Sequence, residues 1–529
     1  MKITLALTVA RRIRAWATRR QKAKNLRLNK SNSVMFISRN NGTSIFKFFK
    51  YNTMAFTPEQ ETILEQIIEA FQNGKRLSDL PEVQDANPFE LICEVLENGE
   101  SKKAALATLL PYLEQQCAYG VQFDTSVSSA ACTRIGNTDL HKSLPIQSRM
   151  RGCLLDDNGN VVEYLDPKDW RGQTRDGSRG QVMVEIPLHY RKFETDGTVR
   201  RVKISEYPLP GYHTVPKRYV SAYQATVDRT NSKLASVVNN TAQYRGCSNQ
   251  SDWDETYRSA LGRPATSISL TTFRTYARNR KSGSTQWNCH TYGSQKAIYW
   301  LFVVEYATLN SQAAYNASKD ASGYAQGGLG DGVTNSTAWD NFNGYNPFVP
   351  CGYTDEFGNG SGVKALEVRD GDDALFVSTY VNRYRGIEIP FGHIFHWTDG
   401  VLVEAGAESD TNLHKVFVAK DPSKFASSIG DGYANVGNQA RADGYGKEHI
   451  FGEGGEIIAA AVGGGSTTYL CDYNYQNIPA SGKATRGVLF GGGAYVGAYA
   501  GFVCANSTNA PSDANARIGS RLCFLPTLD

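Results

Sequence analysis

Glycine sets the limits on what this chain can fold into. There are 50 glycines in 529 residues, set among 28 tyrosines and 23 phenylalanines but only 18 prolines and 5 methionines. A glycine costs a helix interior about 1 kcal/mol against alanine, yet it is at home in tight turns and left-handed backbone. Aromatic side chains suit the pleated, half-buried face of a sheet. The expected class is therefore α+β, a small N-terminal helical module followed by a β-rich region. Hydrophobic residues make up 41% and charged residues 20%, enough apolar material to bury a core. This texture excludes collagen, a coiled coil, a membrane transporter and a small disulfide scaffold. The net charge of +4 is too mild to announce a nucleic-acid partner. No stretch approaches the roughly 20 apolar residues of a membrane span, so no membrane insertion is expected.

At about 150 residues per domain the length makes three or four units. Residues 1–53 read as a basic leader or an extension from an upstream start. Ile3–Ala10 is apolar but short, and Arg11, Arg12, Arg14, Arg19, Arg20 and Lys22 follow it, whereas a signal peptide carries its charge first. Residues 54–120 read as a helical assembly or attachment module. Thr57-Pro58-Glu59 is a helix start, and Ile63, Leu64, Ile67, Ile68 and Phe71 form a stripe at helical spacing. Further helices are expected over 89–96 and over 101–116, the latter interrupted by Pro111. Residues 121–215 are expected to form a β-rich connecting domain and 216–529 a binding domain. Strands are expected over 182–191 and 200–207. Residues 296–307 are apolar nearly all round, which means a helix buried inside a domain. The stretches 310–346 and 430–465 are rich in Gly, Asn, Ser and Asp and read as long loops.

The search for catalytic chemistry is negative. There is no G-x-x-x-x-G-K-[ST], no H-E-x-x-H and no G-x-S-x-G. Beyond Gly491-Gly492-Gly493, Val496 stands where a dinucleotide fingerprint needs its last glycine. Asp156–Asn160 looks like a calcium loop but puts Val161 at the obligatory glycine, so it reads as a hairpin turn. His393 and His396 have no acidic or cysteine neighbour in sequence and read as core or turn histidines. Asp370, Asp372 and Asp373 read as a solvated turn. Ten cysteines are scattered without a CxxC pair, which gives neither a zinc spacing nor a disulfide framework. No cofactor and no enzymatic activity are expected, and the metal question stays open for the loop at 310–346.

The informative segment is Thr468–Phe524. It is packed with Tyr, Asn, Ser, Ala, Asp and Gly, and it contains no Glu, His, Met or Trp. Tyr, Ser, Gly and Asn dominate evolved binding surfaces, because tyrosine brings large amphipathic area at low entropic cost and the small polar residues adapt their hydrogen bonds. The runs Arg486–Gly492, Gly497–Cys504 and Ala514–Phe524 resemble the variable region, about 469–524 here, of phage tail-fibre proteins diversified by retroelements. Looser likenesses lie upstream at Arg134–Asn137, Leu144–Met150 and Tyr219–Tyr223. In that family, template adenines are randomised, so asparagine codons AAC and AAT become others. The products include Tyr, Ser, Asp, Gly, Ala, Val, Thr and Arg, but never Glu, Lys, Gln, Met or Trp. Positions that obey this restriction are Asp472, Tyr473, Asn474, Tyr475, Asn477, Ala494, Tyr495, Val496, Tyr499, Asn506, Ser507, Thr508, Asn509, Asp513, Asn515 and Arg517. Between them, Arg486, Gly487, Phe490, Gly501, Gly519, Arg521, Leu522 and Phe524 read as scaffold.

The resemblance implies a C-type-lectin-like fold in the branch shared with formylglycine-generating enzymes. It implies a receptor-binding tail protein on the virion, presenting the sixteen positions to a host cell-surface protein or glycan. A homotrimer attached to other virion tail proteins is implied as well, and its avidity would exceed single-site affinity by orders of magnitude. Three rivals differ in class. A structural baseplate component would show no variation at these positions. A formylglycine-generating-type oxidase would need a reactive cysteine pair, which neither Cys289 nor Cys504 supplies by its setting. A cellular, surface-anchored variable protein would need a signal peptide.

Overall fold

The computed structural model describes residues 33–40, 43–50, 92–97, 100–105, 110–409 and 414–526. They fall into two compact units, Met1–Tyr112 and Leu113–Asp529. The described strands of the first unit form two antiparallel hairpins, Ser33–Asn40 with Thr43–Lys50 and Ile92–Glu97 with Glu100–Ala105. Each register leaves two residues between its strands, Asn41-Gly42 and Asn98-Gly99, the dipeptide that most favours a two-residue hairpin loop. Helix was expected over 89–96 and from 101, and strands stand there instead. An eight-residue apolar stripe is too short to nucleate a helix against an Asn-Gly hairpin signal. A helix does form at Leu110–Cys117. Pro111, expected to interrupt it, sits in its first turn, where the missing N–H has no intrahelical partner to lose. The expected helix at Thr57–Phe71 lies outside the described residues.

The second unit is mixed α/β and strand-rich. One five-stranded sheet runs in the order His213–Val215, His189–Asp196, Val199–Ser205, Ala118–Asp124, Thr133–Gly136. A six-stranded sheet runs Trp287–Cys289, Leu522–Phe524, Arg218–Ser221, Gln181–Ile186, Arg151–Leu155, Val161–Tyr164. It takes strands from both sides of residue 215, and the strand Leu522–Phe524 lies between two segments far earlier in sequence. The largest sheet is built on Phe395–Gly406 and Lys483–Gly491, joined by Gly501–Asn506, Tyr473–Tyr475, Gly444–Phe451 and Glu456–Val462 on one side and by His414–Ala419 and Tyr433–Gln439 on the other. Three of these strands occupy 430–465, which was expected to be loop. The sheet absorbs the glycine and asparagine as a bulge: Val416 pairs with Gly437 and Phe417 with Asn435, leaving Val436 unpaired.

Between the sheets lies the helix Tyr292–Tyr306, buried at every residue but Gly293. It starts where the Thr291 side chain accepts the Ser294 N–H at 3.2 Å, and it ends at Ala307 in left-handed backbone. The expected helix is there, one turn longer at its start. Its Trp300, Phe302 and Tyr306 join Tyr384, Phe391, Phe451 and Phe502 in one aromatic core. Its two charges are paired, Lys296 with Glu456 at 2.9 Å and Glu305 with Arg385 and Tyr384, as burial requires. The hairpin turn expected at Asp156–Asn160 joins Arg151–Leu155 to Val161–Tyr164. Asp370, Asp372 and Asp373 form an exposed turn in which the Asp370 carboxylate accepts the N–H groups of Asp372 and Ala374. No helix among the described residues is long and apolar enough to cross a membrane.

Candidate functional site

The strand Tyr473–Tyr475 lies between Gly501–Asn506, to which it is parallel, and Gly444–Phe451, to which it is antiparallel. Successive strand side chains point to opposite faces, and here the two faces differ completely. Asp472 and Asn474 are buried, while Tyr473 and Tyr475 are half-exposed. Asn474 accepts the Gln439 side-chain N–H at 2.8 Å and donates to the Ala442 carbonyl at 3.1 Å. Asp472 accepts the Val503 N–H at 2.8 Å. Burial pushes its carboxyl well above the ordinary range, although hydrogen bonds from the backbone at Val503 and Cys504 pull the other way. Ser507 is also buried and donates to the Gln439 side-chain amide oxygen, Oε1, at 2.7 Å. Ala494 is buried with its N–H on the His393 carbonyl at 2.9 Å. These four of the sixteen positions are built into the fold rather than displayed.

The tyrosines on the outer side converge. Tyr473 stacks on Tyr499 with ring centroids 4.2 Å apart, and Tyr475 lies 4.7 Å from Tyr473. Tyr445 completes the group at 5.3 Å from both Tyr473 and Tyr499. Tyr499, 39% exposed, comes from the segment 492–500 that joins Lys483–Gly491 to Gly501–Asn506. The Gln312 side chain fixes that segment by donating to the Ala500 carbonyl at 2.5 Å. Tyr495, 38% exposed on the same segment, forms a second group. Its hydroxyl accepts from Arg517 at 3.0 Å, and the Arg517 guanidinium lies 5.3 Å from the rings of both Tyr495 and Tyr345, a cation–π arrangement. Trp339 is buried beneath it, 5.9 Å from Tyr495. Val496, half-buried between Tyr495 and Tyr499 in sequence, packs on the core.

The polar positions form a third group. Tyr475 pairs with Asn506 across the parallel strands, and Asn506 accepts the Thr508 N–H and hydroxyl at 2.9 and 2.7 Å. Asn509 donates to the Thr508 hydroxyl at 3.1 Å. Asn477 is exposed and accepts from Arg486 at 3.0 Å. Asp513 and Asn515 cap their own loop through the N–H groups of Ala510 and Arg517; no ring contact joins them to the tyrosines. Tyr345 and Tyr445 lie outside the segment singled out by sequence. They come from the two glycine- and asparagine-rich stretches, and that composition was the available signal. The scaffold positions are buried except for half-buried Arg486. Arg521 donates to the carbonyl of Ser221 at 3.2 Å and also to those of Glu388 and Ile389, and a Cβ on Gly487 would meet the Trp397 ring.

The remaining titratable groups are interior. His393 and His396 are buried and share Gln224, each at 2.8 Å. Burial drives both below the ordinary range, His393 to about 3. Cys289, Cys504 and Cys523 are buried, and burial pushes all three thiols up, Cys523 to about 11. Among the described residues no group of three or more His, Cys, Asp or Glu side chains is arranged to hold a metal ion. The surface thus offers stacking area, a few hydrogen-bonding groups and the half-buried guanidinium of Arg517.

No family model and no curated protein matches this chain. Among solved structures it is similar to two variants of a Major Tropism Determinant. The I1 variant is 11% identical with a TM-score of 0.19, the match covering 77% of this chain and 85% of the other. The U1 variant is also 11% identical at a TM-score of 0.19, covering 82% and 91%.

Proposed function

We propose that this chain is a phage receptor-binding tail protein whose C-terminal region, of C-type-lectin-like fold, presents a retroelement-diversified surface to a host cell-surface protein or glycan. One observation carries the reading. Positions taken from this segment on the resemblance and its codon restriction include Tyr473, Tyr475, Tyr495, Tyr499 and Arg517, and these side chains meet in two neighbouring, partly exposed aromatic groups. Rigid aromatic anchors with one arginine are the composition of binding hot spots. The chemistry is binding rather than turnover. The raised, buried thiols of Cys289 and Cys504 favour this over an oxidase, since a reactive cysteine has a lowered pKa and some exposure. Assembly as a homotrimer on the virion would convert modest single-site affinity into avidity.

The coding DNA tests the reading without a known receptor. Nearly all sixteen positions should have codons ending in T or C. A near-copy of the segment, carrying adenines at the same places, should lie beside a reverse transcriptase gene. Codons ending in A or G at most of these positions would sink the proposal.

A further inference from the structure

The Arg517 side chain stands beside two tyrosines of different origin. Tyr495 belongs to the segment 469–524, whereas Tyr345 comes from the stretch 310–346. Their ring centroids lie 5.6 Å apart, and the guanidinium lies 5.3 Å from each. Tyr345 is held in left-handed backbone at φ 64°, where a bulky side chain is strained. Its neighbours enforce that shape. Asn343 donates to the Asn346 carbonyl at 2.5 Å, and Asn346 donates back to the Asn343 carbonyl at 3.0 Å. Trp339 Nε1 adds a bond of 2.8 Å to the Asn346 carbonyl. Arg517 is anchored by its backbone, its N–H on the Asn515 side chain at 3.1 Å and its carbonyl on the Phe395 N–H at 2.9 Å. The guanidinium donates to the Tyr495 hydroxyl at 3.0 Å. Among the described residues no carboxylate pairs with it, and none of its N–H groups is sealed from solvent.

A planar guanidinium with free N–H donors matches a carboxylate through two parallel hydrogen bonds. Flat rings on either side add apolar faces for C–H groups. We infer that Tyr345, Tyr495 and Arg517 form a subsite for an acidic sugar of the uronic or sialic acid class. The guanidinium takes the carboxylate, and the rings take the C–H face of the pyranose. An acidic peptide would offer the carboxylate without that face. It would also want an apolar centre, and in 469–524 the large apolar side chains that stand exposed are Tyr495 and Tyr499 alone, with no aliphatic residue beside them. The inference rests on the reading of this surface as receptor-binding. It assigns charge preference to position 517, one of the sixteen, and a standing platform to Tyr345, which is not.

The test titrates the full chain with D-glucuronate, D-galacturonate and N-acetylneuraminate at pH 7 and low salt, each against its carboxyl-reduced alcohol, with binding read by ligand-observed NMR. At least one acid should bind about ten-fold tighter than its alcohol or better. Arg517→Gln should abolish that preference while leaving weak binding of both. Arg517→Lys, which keeps the charge and loses the planar fork, should retain part of it, and it decides the matter should Arg517→Gln fail to fold. Tyr495→Ala should weaken acid and alcohol alike. Equal binding of acid and alcohol for all three sugars, or a preference that survives in Arg517→Gln, would overturn the subsite. Tighter binding of hexaglutamate than of any acidic sugar would overturn it too, in favour of a protein ligand. Codons ending in A or G at most of the sixteen positions would remove the diversification without touching this measurement, and loss of the acid preference would leave the tyrosine surface standing.

Discussion

The two faces of residues 472–475 are made from one alphabet and do opposite work. Asp472 and Asn474 turn inward and spend their polar atoms on Val503, Gln439 and Ala442. Tyr473 and Tyr475 turn outward and meet Tyr499 and Tyr445. All four obey the same codon restriction, so chemistry alone does not sort them. The two-residue period of the strand does. Under the proposed diversification, a change of codons along this strand alters the half-exposed face at every other position and the core at the positions between. On the inner face each change must still satisfy a buried hydrogen bond, whereas on the outer face the rings rest only part of their surface on the apolar core.

The largest effect should come from the inner face. Gly501 lies against Asp472 with φ +152°, and a Cβ there would stand inside the Asp472 carboxylate. Gly501→Ala should destabilise the chain by about 3 kcal/mol through overpacking and backbone strain, read as a lower urea midpoint at unchanged slope. A loss below about 0.5 kcal/mol would mean that the inner face yields easily, and the contrast between the faces would collapse.

Next in size is the charge of Asp472. Its folded pKa is raised by burial, whereas in the unfolded chain it titrates near 3.9. Its contribution to stability is therefore complete below about pH 3.9 and is lost as pH rises toward the folded pKa. Asp472→Asn has no such titration. The stability of this variant minus that of the parent should grow above about pH 4, by up to about 1.4 kcal/mol per pH unit. Taking the difference removes the opposite trend of the buried histidines, whose lowered values make acid destabilising. A flat difference from pH 4 to 7 would show a carboxylate that ionises freely and hence is not sealed inside.

Local patterns were legible in the sequence. The buried helix announced itself because nearly every residue from Ala297 to Ala307 is apolar, a pattern no surface helix shows. The turns at Asp156–Asn160 and Asp370–Asp373 were legible from their own side chains, and His393 and His396 from the lack of partners. Pairings across long stretches were not. Leu522–Phe524 lies between Trp287–Cys289 and Arg218–Ser221, and three residues carry too little periodicity to declare a strand, let alone its neighbours. For the same reason the burial of Asp472 and Asn474 was invisible: Tyr473–Tyr475 is too short to show its alternation. Tyr345 and Tyr445 reach the surface only through tertiary folding. At 92–105 the apolar spacing predicts helix, but the Asn98-Gly99 dipeptide between two short runs outweighs it and the segment pairs as a hairpin.

The smallest stability effect, and the largest functional one, should come from the outer face. Tyr499→Ala and Tyr473→Ala each remove a half-exposed ring, so each should cost about 1 kcal/mol or less. Their rings stack at 4.2 Å, and aromatic pairs contribute about 0.5–1.5 kcal/mol beyond area. The double variant should thus lose less than the sum of the singles by that amount in a double-mutant cycle. Binding should behave differently, because hot-spot rings act through the partner as well as through each other. Adsorption of the purified chain to host cells should fall more than ten-fold for either single variant while the Tm stays within a few degrees. If adsorption survives both substitutions with the fold intact, the tyrosines are outer-face packing like any other exposed ring, and the division of labour along this strand ends at burial.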